Sequence, residues 1–189
     1  MGRWEPNARS RLERAALKLY VERGYEQTTV AEIAKEAGLT ERTFFRYFAD
    51  KREVLFGGSK TLQELLVTTV AEAPDAAAPI DTVISALQAA GAMLQERREY
   101  ARQRQAVIAA HPELQERELL KLASLAAAIA EALRGRGIVE PTASLTAEAG
   151  IAVFKVGFER WVASSHGADL PHLIHDSLNA LKAVTAGRH

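Results

Sequence analysis

Cysteine is absent from this chain of 189 residues, so disulfide frameworks, thiolate zinc sites and cysteine nucleophiles are all excluded. Long apolar runs are missing too: none approaches the ~20 residues that a membrane-spanning helix needs, and the opening MGRWEPNARSR carries no apolar signal core. Both absences suit a cytoplasmic protein, which is the expectation. The chain shows no alternation of apolar and polar residues of the kind that marks a half-buried strand, and no internal repeat. It has no net charge, with 24 Lys and Arg balanced by 24 Asp and Glu. Neutrality argues at first sight against a nucleic-acid partner, but the distribution answers this. Residues 1–60 hold 12 Lys and Arg against 9 Asp and Glu, an excess of +3, while residues 61–189 hold 12 against 15. The modest positive excess suits a partner held by shape and register, and the acidic remainder should stand off it.

What is present is apolar residues at helical spacing. Hydrophobic residues make up 48% of the chain, enough for a substantial core. The prolines fall in its breaks: AEAPDAAAP with Pro74 and Pro79, His111-Pro112, GRGIVEPTAS and HGADLP. Between them the pattern predicts helices at Ile80–Arg97, Tyr100–Ala110, Glu113–Arg134, Leu145–Ser165 and Leu170–Ala186, with a further helix running from Lys51 toward Glu72. The expected fold class is all-α with about nine helices. Gly57 and Gly58 fall inside the Lys51–Glu72 helix, where each costs roughly 1 kcal/mol relative to alanine. Close packing against a neighbour and a soft point that lets two domains rotate are the two readings of that cost.

The stretch Thr28–Lys51, TTVAEIAKEAGLTERTFFRYFADK, is the most informative. Thr29 and Glu32 have the spacing of a capping box, each satisfying a free backbone N–H at the start of a short helix. Val30, Ile33, Ala34 and Ala37 form one apolar stripe, and Gly38 supplies a left-handed stop. Thr40 caps a second helix whose Phe44 and Phe48 face inward, leaving Glu41, Arg42, Thr43, Phe45 and Arg46 toward the outside or flank. Asp50 caps a third helix, with Glu53 placed to close another box. Two helices around a glycine-containing turn form a helix-turn-helix at about 29–48, an arrangement that places its second helix in a major groove. The residue types suit that task. Arg donates to guanine, Glu accepts from cytosine, and Thr contacts either base type or a thymine methyl. Thr29, Thr40, Tyr47 and Lys51 sit at helix ends, where phosphates are held. The competing reading is a solvated amphipathic pair around a small core.

The run Arg14–Phe56 resembles the N-terminal domain of TetR/AcrR-family transcriptional regulators. The likeness is carried by Glu22-Arg23-Gly24-Tyr25, Thr28-Thr29-Val30 followed by Ile33-Ala34, Ala37-Gly38-Leu39-Thr40, and Thr43-Phe44-Phe45-Arg46-Tyr47-Phe48 with Lys51. It implies a three-helix DNA-binding domain over residues 1–56 and a helical effector-binding and dimerisation domain over residues 57–189. It places Thr29, Thr40, Thr43, Arg46, Tyr47 and Lys51 at positions the family uses on DNA. Phe45 stands where the family usually has tyrosine, so a phosphate hydrogen bond is in doubt there.

Toward the C-terminus, Leu145, Ala149, Ala152, Val153 and Val156 gather on one side of a helix, with Ile151, Phe154, Phe158, Trp161 and Val162 roughly opposite. The final helix carries Leu170, Leu173, Ile174, Leu178, Leu181 and Val184 at similar spacing. A helix apolar on two sides needs two coverings, so these helices read as half of a four-helix dimer interface formed by Leu145, Ala149, Ala152, Val153, Val156, Leu170, Ile174, Leu178 and Leu181. Two central core helices are the alternative. The resemblance further implies a pocket for an unknown small-molecule effector, with Met93, Tyr100, Phe154, Phe158 and Trp161 as candidate lining. The cluster Arg97, Arg98, Arg102 and Arg104 could take an anionic or acyl-type effector or form a solvated face.

No metal or other cofactor is expected. His172, His175 and Asp176, with His166 and Asp169 just before them, lack a firmly placed third ligand. No enzyme is expected either, because Ser164, Ser165, His166 and Asp169 have no glycine-elbow context. The expected function is a one-component regulator of transcription. It would more often be a repressor, binding a palindromic double-stranded operator as a homodimer away from any membrane and released by an effector. A transcriptional activator, or a DNA-binding helical protein without an effector, would share these signals.

Overall fold

The computed structural model describes residues 7–164 and 167–187, and among them the chain forms nine α-helices and one 3₁₀ helix, with no strand. The helices are α1 (Ala8–Arg23), α2 (Val30–Glu36), α3 (Glu41–Tyr47), α4 (Ser59–Ala71), α5 (Pro79–Gln95), α6 (Arg98–Ala109), α7 (Pro112–Gly135), α8 (Thr142–Ala163) and α9 (Leu170–Thr185). Ser165 and His166, named above as part of a helix end and of a possible ligand group, lie outside the described residues.

The chain divides into two compact units. The first comprises residues up to Ser59 together with Gln103–Glu118, a segment that sequence alone assigns to the second domain. The second comprises Lys60–Arg102 and the residues from Leu119 onward.

In the first unit, α1 lies against α2, α3 and the 3₁₀ helix Glu53–Phe56. Leu12, Ala16, Leu19 and Tyr20 of α1 meet a core that includes Ile33, Phe44, Phe48, Val54 and Leu55, all at most 3% exposed. Polar ties fix the helix ends. Arg11 Nη2 donates to the Ala37 carbonyl at 2.5 Å, and the Tyr20 hydroxyl donates to the Lys51 carbonyl at 2.6 Å. From the later segment, Arg104 Nε donates to the Leu55 carbonyl at 2.7 Å and its guanidinium pairs with Glu118 at 3.1 Å. In the second unit, α5, α8 and α9 pack on one another around Val83, Leu87, Ala90, Ile129, Trp161, Leu170 and Ile174.

The expected helix from Lys51 to Glu72 is not continuous. Asp50 Oδ1 accepts from the backbone N–H of Arg52 (2.8 Å) and Glu53 (3.1 Å), one turn of 3₁₀ helix comes next, and Gly57 and Gly58 separate it from α4. Glu53 turns its carboxylate to Arg117. The reason for Gly57 is close approach within the first unit: a Cβ there would lie 2.1 Å from Glu13 Oε1 and 3.1 Å from the Phe48 ring. Gly58 faces open space. Packing thus accounts for Gly57 but not for Gly58.

Two substitutions separate these readings. Gly57→Ala is expected to lower the melting temperature, at a cost of about 1–3 kcal/mol from overpacking against Glu13. Gly58→Ala is expected to be neutral or slightly stabilising. Equal thermal shifts for the two would show that close packing is the wrong explanation for Gly57.

Candidate nucleic-acid interface

The second helix of the motif is placed by its caps and its anchors. Thr29 and Glu32 form the reciprocal box: Glu32 N–H donates to Thr29 Oγ1 at 3.3 Å and Thr29 N–H donates to Glu32 Oε2 at 2.9 Å. That donation from the Thr29 backbone, with its hydroxyl, holds the Glu32 carboxyl below its ordinary range. At the other end of α2, Gly38 adopts φ 64°, Gly38 N–H bonds to the Lys35 carbonyl and Leu39 N–H to the Ala34 carbonyl at 2.8 Å. This pair of bonds is a Schellman stop, which satisfies carbonyls that an abrupt end would orphan. Two residues later Thr40 accepts from Thr43 N–H at 3.2 Å and starts α3. The Thr40 and Thr43 hydroxyls are 3.0 Å apart.

Phe44 is completely buried and Phe48 nearly so, which orients α3 about its axis. Arg42 and Arg46 lie on the side away from Phe44, and Glu41 and Phe45 toward its flanks, all four exposed, with Thr43 half-buried. Arg42 and Glu41 make no hydrogen bond or ion pair with the described residues, so both are available to a partner. Arg46 lies over the Tyr47 ring at 4.9 Å and donates to its hydroxyl at 3.2 Å. Phe45 packs edge-on to Phe44 and still leaves 54% of its surface exposed.

Lys51, expected to hold a phosphate, lies against the turn between α1 and α2. Its Nζ donates to the carbonyls of Tyr25 (2.9 Å), Glu26 (3.3 Å) and Thr28 (3.3 Å) and sits 4.3 Å from the centre of the Tyr25 ring. All three ammonium donors are therefore committed to the turn between α1 and α2. Its position cannot be read from sequence, because the carbonyls it bonds come from a segment more than twenty residues earlier.

The second unit distributes the other candidates. Of the residues expected to line a pocket, Met93 is 41% exposed, Tyr100 stacks against Arg97 at 4.5 Å, and Phe154, Phe158 and Trp161 form a run of ring contacts at 5.9 and 5.6 Å. None of these lines the open depression of about 380 Å³ formed where α4 meets α5 by Thr69, Glu72, Pro74, Asp81, Thr82 and Ser85 with their neighbours.

Along the expected dimer face, Leu145, Ala152 and Val156 are exposed and Ala149 and Leu181 half-buried. Val153, Leu170, Ile174 and Leu178 are at most 3% exposed inside the protomer's own core, so they have no surface for a partner. Helical periodicity gives the apolar face but not which neighbour covers it. Val184, 66% exposed, extends the open apolar surface on α9, and Leu119 and Leu120 on α7 are exposed apolar residues that periodicity did not single out.

The arginine cluster is four separate arrangements rather than one anion site. Arg97 stacks on Tyr100, Arg98 donates to the Trp161 and Ser164 carbonyls, Arg102 pairs with Glu99, and Arg104 serves the first unit. His172 pairs with Asp176 on α9 at 3.5 Å. A grouping hidden from sequence lies in the first unit, where ligand atoms of Glu26, His111 and Glu113 come within 4.8 Å of one another. Their types suit a divalent transition metal.

The sequence matches the family profile "Bacterial regulatory proteins, tetR family" over residues 13–56 and the "MftR C-terminal domain" profile over residues 77–186, the latter covering more than half of the chain. The chain belongs to the TetR family. It is similar to the HTH-type transcriptional regulator TcmR of Streptomyces glaucescens, 36% identical over 81 residues, which is 43% of this chain and 36% of that protein. It is also similar to the HTH-type transcriptional regulator HbdR of Aromatoleum sp. (strain CIB), 42% identical over 60 residues, 32% of this chain and 25% of that protein. The matches thus span about a third and a quarter of the length of these curated relatives. Among solved structures, FadR of Thermus thermophilus, a TetR-family transcriptional repressor in complex with lauroyl-CoA, is 25% identical with a TM-score of 0.55, covering 92% of this chain and 93% of that one.

In this TetR-family helix-turn-helix, the exposed α3 side chains and the anchored Lys51 lead to different expectations. Arg42→Ala and Thr43→Ala are expected to relax base preference within a half-site while leaving the melting temperature unchanged. Lys51→Ala is expected to lower the melting temperature and the affinity for every duplex together, which a parallel thermal melt and binding isotherm would reveal. Nearby, burial pushes the Tyr25 phenol up to about 12. A raised pKa means a contribution fully present below the unfolded value near 10 and lost as pH rises toward 12, worth at most about 3 kcal/mol. Comparing alkaline unfolding of the native chain with Tyr25→Phe measures it.

Proposed function

We propose that the chain regulates transcription by binding a palindromic DNA operator as a homodimer, and that a small-molecule effector in the second unit releases it. The observation that carries this reading is the exposed surface of α3, where Arg42 and Glu41 stand unpaired on a rod anchored through Phe44. A donor fork and a carboxylate free of internal partners match guanine and cytosine edges in a major groove. Thr29 and Thr40 start α2 and α3, and the first-turn backbone N–H groups just after them are placed to meet phosphates on either side. Repression is preferred to activation because the Thermus thermophilus relative is a repressor. The division of labour follows the two units, with DNA read by the helix-turn-helix of the first and effector and partner bound by the second, Lys60–Arg102 and the residues from Leu119 onward.

Leu145, Ala152 and Val156 on α8 and Val184 on α9 support self-association, since exposed apolar groups on two packed helices gain by being covered by a second copy. A two-fold pair sets two α3 helices about 34 Å apart, one turn of DNA. The modest charge of the first unit gives weak sequence-independent affinity, so loss of one half-site contact releases the whole. No described helix is long and apolar enough to cross a membrane, and a cytoplasmic setting with access to DNA fits the reading. The relative bound to lauroyl-CoA makes an acyl compound the first effector class to try.

Selection of bound fragments from random DNA is expected to return a two-fold symmetric consensus, and Val156→Glu or Leu145→Glu to shift the sedimenting species from dimer toward monomer. A consensus without symmetry, or charge variants that leave the sedimentation unchanged, would contradict the dimeric part of the reading.

A further inference from the structure

We propose that the effector of this chain is an organic carboxylate on an apolar body, bound through the two unpaired donors Arg98 Nε and Trp161 Nε1; the proposal rests on the effector-responsive reading above. Trp161 is completely buried on α8, and its indole N–H has no hydrogen-bond partner among the described residues. Arg98, at the start of α6, lies 5.8 Å from the centre of the same indole ring. Its Nη2 is accounted for, donating to the Trp161 carbonyl at 2.9 Å and to the Ser164 carbonyl at the end of α8. Its Nε is buried and, like the indole nitrogen, lacks a partner among the described residues.

Capping the C-terminus of α8 explains why an arginine stands here, and it uses only one end of the guanidinium. The Nε and the indole N–H, on a guanidinium and a ring 5.8 Å apart, are both removed from water with nothing among the described residues to receive them, which natural cores rarely tolerate. Both groups are donors only: an indole nitrogen and a guanidinium have no lone pair to offer. Their complement is therefore an acceptor. Its charge is dictated by the ion pairs, since among the described residues no carboxylate is within salt-bridge distance of Arg98, and the guanidinium carries its full positive charge beside the two donors. An anionic oxygen answers the charge and the missing bonds together, in the charge-assisted geometry that arginine favours. The apolar body is implied by the adjoining rings: Phe158 contacts Trp161 at 5.6 Å and stacks on Phe154 at 5.9 Å, an aromatic surface suited to an alkyl chain or a ring. The chain's other tryptophan is Trp4, so Trp4→Phe leaves Trp161 as the sole indole reporter.

The test is calorimetric titration of the full chain with dodecanoate, octanoate and benzoate, using dodecanol and dodecyltrimethylammonium as matched bodies with other polar ends. At least one carboxylate is expected to bind saturably and to shift Trp161 emission in the Trp4→Phe chain. The dodecyl compounds without a carboxylate should bind at least about tenfold more weakly than dodecanoate. Trp161→Phe, which keeps a ring and removes the donor, and Arg98→Gln, which removes the charge, should each weaken carboxylate binding about tenfold. Should Trp161→Phe fail to fold, Arg98→Gln and the emission shift decide the matter. Binding of none of the three acids, equal binding of dodecanoate and dodecanol, or native-like binding by the folded variants would overturn the proposal. If a compound without a carboxylate releases the operator and no acid binds, this proposal fails and the regulator reading stands. If the acids bind as expected and no duplex is ever bound, the site stands and the regulator reading fails.

Discussion

Burial of the Phe44 ring is the constraint on which the reading head depends. The helix that carries it, α3, has only seven residues, too few to hold helical structure on its own in water. Its existence comes from the Thr40 cap, from the Schellman stop at Gly38 that delivers the chain to that cap, and from the two phenylalanines four residues apart that dock on α1 and α2. Because Phe44 is sealed in the core, rotation about the α3 axis is fixed, and with it the set of side chains that faces outward. A base-reading surface needs this fixity, since hydrogen bonds to base edges fail when a side chain is displaced by about an ångström.

Charge does less here than composition suggests, because several of the basic groups of the first unit are engaged in holding it together. Arg11 bonds the end of α2, Lys18 pairs with Glu36, Lys51 gathers three carbonyls of the α1–α2 turn, and Arg104 and Arg117 bind Leu55, Glu118 and Glu53. The groups left on the α3 face are few, which fits a protein relying on shape and register rather than on bulk attraction to phosphate.

Local signals were legible in the residues and tertiary ones were not. The Thr29–Glu32 box, the stop at Gly38, the Thr40 cap and the inward Phe44 and Phe48 are all encoded within a few positions of one another, so spacing alone reveals them. The later helices were readable for the same reason, their breaks marked by proline. Roles that depend on a distant partner were hidden. Nothing near Lys51 in the chain announces that its ammonium belongs to residues 25–28. Nothing near Gly57 shows the Glu13 carboxylate and Phe48 ring that crowd its α-carbon, and helical periodicity cannot tell that Val153, Leu170, Ile174 and Leu178 are covered by their own protomer while Leu145 and Val156 are not. The union of Arg98 with Trp161 likewise appears only when α6 and α8 are brought together.

Backbone amide chemical shifts followed by NMR during titration with the selected operator duplex probe the reading surface residue by residue. The largest changes are expected at Thr29 and from Thr40 to Tyr47, with Phe44 shifting less than Arg42 and Phe45 beside it and with α8 and α9 undisturbed by DNA. Saturable binding that leaves the Thr40–Tyr47 amides in place and perturbs another surface instead would contradict the assignment of α3 as the element that reads DNA.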